Sequence, residues 1–290
     1  MNHAAFTIII PAHNEESVIE RCLQTVLSSA PLDHKMQIIV AANGCDDRTV
    51  AVAKQAAPDA LVLDLPQGSK TAAMNAAHAK AAHFPRIYLD ADIQCSYRSL
   101  EALAECLREP GAMAASPAIR LDLSRSNALV RSYYKVWQTQ PYVTRNMVGS
   151  GCFGLSQAGY EHIGDFPAIT GDDIWVHSRF SETQRRNIRE DANGKPVFFE
   201  VSPPRNASAQ IRVEARRRLG NREVQELYPS PHSGPSNGAG DLRLAMKAGA
   251  SIVDVAVYMG IKTLARLRAA SSHVRNRKIV WERDLTAREL

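Results

Sequence analysis

The chain has 290 residues, 45% of them hydrophobic, which is enough for one large folded domain with an appendage. Its formal net charge is +5, and the basic excess lies toward the C-terminus, where residues 205–290 hold 16 basic and 8 acidic side chains. The longest apolar stretch, residues 248–261, contains Asp254 and is shorter than the roughly 20 residues of a membrane-spanning helix. Five cysteines without paired metal-ligand spacing indicate reduced thiols in a cytoplasmic protein.

The first part of the chain alternates strand and helix patterns. Four short apolar runs are predicted strands: residues 6–10, 36–40, 61–63 and 87–89. Helical patterns follow the first three, with predicted starts at Asn14, at Asp46 or Asp47, and at Lys70. Strands and helices that alternate at this length form parallel sheets through right-handed crossovers. The predicted fold class is therefore α/β, with a Rossmann-like, mostly parallel sheet.

Two aspartates, Asp90 and Asp92, follow the fourth predicted strand one residue apart. In an open α/β sheet the carboxyl end of a strand faces the ligand crevice. An extended chain would place residues i and i+2 on the same side, so both carboxylates are expected to point one way. Two hard oxygen ligands suit a divalent cation that carries a substrate diphosphate. A solvated acidic turn would give the same pattern, and the neighbouring loops decide between the two interpretations.

The loops after the first three strands also carry motifs. The first reads Pro-x-x-Asn-Glu from Pro11, and the second contains Asn43-Gly44 and ends in Asp-x-Thr at Thr49. The third has Gly-x-Lys at Lys70, followed by Asn75. In this order, and followed by the Asp-x-Asp pair, these motifs resemble those of the family 2 glycosyltransferases.

The resemblance continues beyond the aspartate pair, so that it covers residues 5–220. Residues 148–156 match a small-residue strand on the acceptor side, and residues 164–167 match a Gly-Gly-Phe-Asp-like turn. Asp172 and Asp173 then stand where relatives carry Glu-Asp, with Arg179 six residues after Asp173. By this register the resemblance makes Asp173 the counterpart of the catalytic base.

The resemblance implies an inverting, non-processive glycosyltransferase of the GT-A type. It would move a sugar from a nucleoside-diphosphate sugar to the hydroxyl of an acceptor sugar or glycolipid, in polysaccharide or glycolipid assembly. Asp90 and Asp92 would hold Mn²⁺ or Mg²⁺, and Asp173 would be the general base. The implied nucleotide-sugar site consists of Pro11, Ala12, His13, Glu15, Asn43, Lys70, Asp90, Ala91 and Asp92.

The sequence departs from the family pattern at two places. Ala42 occupies the first acidic position of the second loop, which leaves the identity of the nucleotide base open. Polymerising relatives carry Gln-x-x-Arg-Trp, whereas residues 214–220 contain no tryptophan. Processive synthesis is therefore not expected.

Two other classes of function remain as alternatives. A haloacid-dehalogenase-like phosphohydrolase also carries two aspartates one residue apart, normally on its first strand, whereas here they follow the fourth. A non-catalytic relative that binds a nucleotide is the other alternative, and the presence of both Asp92 and Asp173 argues against it.

The sequence predicts three parts: a GT-A domain of residues 1–228, a flexible linker of residues 229–241, and a basic helical segment of residues 242–290. One helical face of this segment is apolar, and it consists of Ile252, Val253, Ala256, Val257, Gly260, Leu264 and Leu267. This face fits either a peripheral contact with the inner face of the membrane or packing against the domain or a second subunit. No zinc-finger or helix-turn-helix pattern indicates nucleic acid as a partner.

Overall fold

The computed structural model describes residues 4–233 and 239–274. Within these residues the chain forms two compact units. We call residues 4–120 and 146–201 the sheet unit, and residues 121–145, 202–233 and 239–274 the helical unit. The three-part division at residues 228 and 241 stays a prediction, and its basic end, residues 275–290, lies outside the described residues.

Among the described residues, nine strands form one sheet in the sheet unit. They are β1 (Phe6–Ala12), β2 (Met36–Asn43), β3 (Leu61–Leu65), β4 (Arg86–Leu89), β5 (Gln94–Cys95), β6 (Ala114–Leu121), β7 (Cys152–Leu155), β8 (Arg185–Ile188) and β9 (Phe198–Val201). Their spatial order is β3-β2-β1-β4-β7-β6-β9-β5, and β8 pairs with β6. Strands β1 to β4 run parallel, while β7 is antiparallel to both β4 and β6. The α/β class is confirmed.

Eleven helices lie in the described part of the chain. They are α1 (Ile19–Leu27), α2 (Thr49–Ala56), α3 (Lys70–His78), α4 (Tyr97–Cys106), α5 (Ala128–Trp137), α6 (Pro141–Thr144), α7 (Gln157–Ile163), α8 (Asp172–Arg179), α9 (Ala207–Leu227), α10 (Ala239–Lys247) and α11 (Ile252–Val274). Helices α5, α6 and α9 to α11 belong to the helical unit. No helix in the described ranges is long and apolar enough to cross a bilayer.

The hydrophobic pattern explains the central strands. All seven residues of β1 are buried, because this strand lies between β2 and β4 with both faces covered. Ile8, Ile10 and Val40 belong to one apolar cluster with Leu23 and Val26 of α1. This core holds the carboxyl ends of β1, β2 and β4 side by side, and the loops that follow these strands form the candidate site.

Two local predictions are wrong. Asn14 does not cap α1, because the helix begins at Ile19 and Asn14 adopts the left-handed conformation with φ +52°. Its side-chain Oδ1 instead accepts a hydrogen bond from the backbone N–H of Asp46 at 2.7 Å. The extended path predicted through Asp92 is also wrong, because the chain turns after Asp90 and the N–H of Ile93 donates to the Asp90 carbonyl at 3.0 Å. This i→i+3 backbone hydrogen bond is the one that closes a β-turn.

Helix α11 packs against α5 and α9 in the helical unit, through small apolar side chains as well as through polar and aromatic ones. Asp254, Tyr258 and Ile261 are buried on its inner face. Buried Glu214 of α9 accepts a hydrogen bond from Lys262 at 2.6 Å. The predicted apolar face is therefore not the face that packs onto the helical unit.

The start of α11 is fixed by a reciprocal cap. Ser251 Oγ accepts a hydrogen bond from the backbone N–H of Asp254 at 3.1 Å, while Asp254 Oδ2 accepts from the Ser251 N–H at 2.9 Å. This capping box satisfies two backbone donors at the helix start, which sets where the helix begins.

Candidate active site

The first and third strand-end loops are joined through one buried amide, Asn43. Its Nδ2 donates to the carbonyl of Ala12 at 2.8 Å, and its Oδ1 accepts from the backbone N–H of Ser69 at 2.9 Å. His13 Nδ1 lies 2.6 Å from the Asn43 carbonyl. Both polar atoms of the Asn43 side chain are thus engaged within the protein, although Oδ1 keeps a second lone pair that can accept a hydrogen bond from a nucleotide base.

The glycine after Asn43 is required by a close backbone approach. Gly44 has φ +56°, and a Cβ atom at this position would lie 2.6 Å from the backbone nitrogen of Gly68. A side chain would therefore push apart the second and third loops, which meet at this crossing. The Asn-Gly pair brings Lys70, two residues after Gly68, to the end of β2.

Lys70 bridges the aspartate turn after β4 and the first turn of α8. Its Nζ lies 2.8 Å from Asp90 Oδ1 and 2.8 Å from Asp172 Oδ2. Burial by itself would lower the pKa of Lys70, but the carboxylates of Asp172, Asp90 and Asp173 raise it well above its usual value. The ammonium group is therefore charged throughout the physiological pH range, and it holds the end of β4 against the start of α8.

Asp92 lies in the turn that follows Asp90, and both carboxylates are near the same buried thiol. Burial first, then the Asp92 carboxylate and more weakly the Cys95 thiol and the Asp90 carboxylate, raise the pKa of Cys22. Cys22 lies on α1 below the turn. Although the chain is not extended here, the two carboxylates still lie at the same end of β4.

Asp173 has the environment of a general base. Its Oδ2 accepts a hydrogen bond from the backbone N–H of Ser150 at 2.8 Å. Among the described residues its Oδ1 has no hydrogen-bond partner, although it is shielded from solvent. Burial, followed by the neighbouring Asp172 carboxylate, raises the pKa of Asp173 to about 7. A carboxylate that titrates near neutral pH can accept a proton and release it again.

The loop of Gly149, Ser150 and Gly151 connects the aspartate turn to Asp173. The Gly151 carbonyl accepts from the Asp90 N–H at 2.8 Å, while Ser150 donates to Asp173. A Cβ at Gly149 would lie 2.9 Å from the Cβ of Asp173, and its φ is +119°. The resemblance places these small residues on the acceptor side, and the structure shows that their backbone contacts both Asp90 and Asp173.

Asn75 is a second positioning residue that the sequence placed in a motif without a role. Its Nδ2 donates to the carbonyl of Phe166 at 2.9 Å, and its Oδ1 accepts from the Phe166 N–H at 2.9 Å. These paired bonds attach α3 to the segment that leads into α8. The other predicted site residues lie around the first loop and the turn: Pro11, Ala12, Glu15 and Ala91 are all buried.

The residues at the turn fit a cation that is shared with a substrate. Among the described residues no group of three or more His, Cys, Asp or Glu side chains could hold a metal ion alone. Asp90 and Asp92 offer hard oxygen ligands, and Asp90 Oδ2 is not the atom paired with Lys70. Mg²⁺ and Mn²⁺ accept such a small set of carboxylates when diphosphate oxygens and water complete the coordination.

The sequence profile of Glycosyl transferase family 2 matches residues 7–158, which is more than half of the chain. The chain belongs to glycosyl transferase family 2. The matched residues include all four strand-end loops and the Gly149–Gly151 loop, and they end before Asp172 and Asp173. No curated protein matches the chain by sequence.

Solved structures of similar fold are glycosyltransferases of the GT-A type. A mannosyltransferase from Pyrobaculum calidifontis, in complex with GDP-mannose and Mn²⁺, superposes with a TM-score of 0.64 at 18% identity, covering 94% of this chain and 88% of that one. Glucosyl-3-phosphoglycerate synthase from Mycobacterium tuberculosis, in complex with Mn²⁺, UDP and glucosyl-3-phosphoglycerate, gives 0.53 at 17% identity, covering 79% and 82%. At this identity the similarity establishes the GT-A-like fold, as the sequence predicted.

Proposed function

We propose that this family member is a metal-dependent, inverting and non-processive glycosyltransferase. It would transfer a sugar from a nucleoside-diphosphate sugar to an acceptor hydroxyl. The observation that carries the proposal is the Lys70 ammonium, which bridges Asp90 of the aspartate turn and Asp172 beside Asp173. The aspartate turn, which would bind the donor diphosphate through a cation, is thereby held beside Asp173, which would take the acceptor proton.

Asp92, with Asp90, would hold Mn²⁺ or Mg²⁺ in this site. When bound, the cation would act as a Lewis acid that stabilises the charge of the leaving diphosphate. Lys70 adds a fixed positive charge beside the same turn. The nucleotide would bind at loops that contain His13, Glu15 and Asn43. The buried residues beneath it would be Pro11, Ala12 and Ala91.

Asp173 would take the proton from the acceptor hydroxyl as that oxygen attacks the anomeric carbon. The bond from this carbon to the diphosphate oxygen breaks as the new bond forms, so a single displacement inverts the anomeric configuration. The Ser150 N–H orients Asp173 by holding one carboxylate oxygen, which leaves the other for the proton.

The acceptor would be a sugar or a glycolipid, in polysaccharide or glycolipid assembly. The mannosyltransferase complex with GDP-mannose and the synthase complexes with UDP make GDP-sugars and UDP-sugars the candidate donors for this chain. We propose a cytoplasmic location with peripheral contact at the inner membrane face, and no nucleic-acid partner. Family membership excludes the phosphohydrolase alternative. An experiment distinguishes the transferase from a non-catalytic relative that only binds a nucleotide.

The test is to incubate the purified protein with a panel of UDP- and GDP-sugars and Mn²⁺, and to measure both nucleotide binding and release of nucleoside diphosphate. The proposal expects one nucleotide to bind only when the cation is present, with slow release of the diphosphate even without acceptor. Binding of a nucleotide without turnover of any donor, with candidate acceptors supplied, would instead identify a non-catalytic relative.

A further inference from the structure

The face of α11 that points away from α5 and α9 is apolar and uncovered within the described residues. Ile252 is 79% exposed, Val253 67%, Leu264 51% and Leu267 62%. Exposed Ala256, Met259 and Gly260 lie on the same side of the helix, because α-helical residues turn by about 100° each. From Ile252 to Leu267 this apolar face extends for about 22 Å, at about 1.5 Å per residue.

Helix packing explains why this face stays exposed. The inner face carries Asp254, Tyr258 and Ile261, then Ala265 and Ala269, all of them buried. Asp254 Oδ2 lies 3.6 Å from Lys135 Nζ of α5, and Lys262 reaches Glu214 of α9. These contacts fix the rotation of α11 about its own axis. The apolar face therefore points away from α5 and α9 because these contacts orient the helix.

The charges around the apolar face are almost all positive. Arg266 and Arg268 are both exposed and lie on opposite flanks of the face, each about a quarter turn from its centre. Helices α10 and α11 together hold five basic side chains and two acidic ones, Asp241 and the buried Asp254. An exposed apolar face bordered by cations has the chemistry of a helix that lies in the headgroup region of an anionic bilayer.

We propose that the outer face of α11 docks on an anionic lipid bilayer. The apolar side chains would enter the boundary between headgroups and acyl chains, while Arg266 and Arg268 would contact lipid phosphates. A second copy of this chain is a poorer occupant, because the contact would bring two net positive surfaces together. The inference gives a surface to the membrane contact of the proposed function, but it rests on α11 alone and not on the transferase chemistry.

The test is flotation of the full-length protein with vesicles of phosphatidylcholine, alone or mixed in equal amounts with phosphatidylglycerol. The protein should float with the anionic vesicles at low salt, weakly with the neutral ones, and much less at high salt. Replacing Leu264→Glu and Leu267→Glu together should lower the partition coefficient at least about tenfold. Arg266→Ala and Arg268→Ala should each lower it about fivefold.

Leu32→Glu is the control, because Leu32 is fully exposed in the loop between α1 and β2 of the sheet unit, and its variant should float as the wild type does. Failure to float with anionic vesicles at low salt would overturn the proposal, as would equal flotation of the double leucine variant. A concentration-dependent dimer that the same variant abolishes would show that a second copy is the occupant.

Donor turnover, measured without vesicles in the same proteins, separates this inference from the proposed function. The leucine and arginine variants should keep wild-type release of nucleoside diphosphate while they lose flotation. A protein that floats as expected but turns over no donor would leave the docking surface standing and contradict the transferase.

Discussion

Lys70 Nζ lies 2.8 Å from Asp172 Oδ2, and this ion pair directly links the first turn of α3 to the first turn of α8. The same ammonium group contacts Asp90 at 2.8 Å. Because Asp172 is almost fully buried, its carboxylate depends on this cation to balance its charge. The arrangement predicts measurable consequences for stability, pH dependence and turnover.

Lys70→Met should lower the free energy of unfolding by about 3 kcal/mol, because it leaves buried Asp172 without its cation. The double variant Lys70→Met, Asp172→Asn should recover part of this loss, with a coupling energy of about 1–3 kcal/mol. Urea denaturation of the two single variants and the double variant gives this coupling. Strictly additive losses would show that the pair contributes no interaction energy.

The raised pKa of Asp173 predicts a pH-dependent stability in metal-free protein. Between the ordinary aspartate value of 3.8 and about 7, the folded state binds the proton more tightly than the unfolded state does. Its stabilising contribution is therefore complete below pH 4 and is lost as the pH rises to about 7. Asp173→Asn should flatten this part of the stability curve in thermal melts with chelator. The exposed Asp59→Asn should leave the curve unchanged, and an unaltered slope in Asp173→Asn would contradict the assignment.

Asn75→Ala should destabilise the fold by about 1–3 kcal/mol, because it leaves both backbone groups of buried Phe166 without their side-chain partners. Asn75→Asp keeps the acceptor but sets a second carboxylate oxygen against the Phe166 carbonyl, so it should also destabilise the fold. Gln24→Ala removes an exposed hydrogen bond to Glu20 and should change stability by less than about 0.5 kcal/mol. Chemical denaturation measures all three, and equal stability of Asn75→Ala and wild type would refute the positioning role.

Asp92→Ala should reduce donor turnover by about 10² or more and weaken binding of nucleoside diphosphate in Mn²⁺. Folding should be nearly unchanged, since Asp92 is only half-buried, in the turn at the carboxyl end of β4. Chelator should have the same effect on the wild type. Full turnover in excess chelator would exclude a cation from the reaction.

The sequence predicted the parallel strands, because the apolar runs of β1 and β2 reflect burial on both faces. It did not predict the turn after Asp90, since backbone hydrogen bonds to Ile93 and Gly151 decide the path there and leave no mark on hydrophobicity. The sequence also did not predict which face of α11 packs against the other helices. Asp254 and Tyr258 are polar side chains that are buried because residues of other helices contact them. An apolar pattern alone therefore could not show which side of α11 packs.

The central claim is that Asp173 deprotonates an acceptor in a single inverting displacement. The direct measurement is the anomeric configuration of the transferred sugar, read by NMR from the product formed with the donor that the panel identifies, together with the rate for Asp173→Asn. The account predicts an inverted anomer in the wild type, and in the variant unchanged donor binding with transfer lowered by about 10² or more. A retained anomer, or a variant that transfers at the wild-type rate, would contradict it.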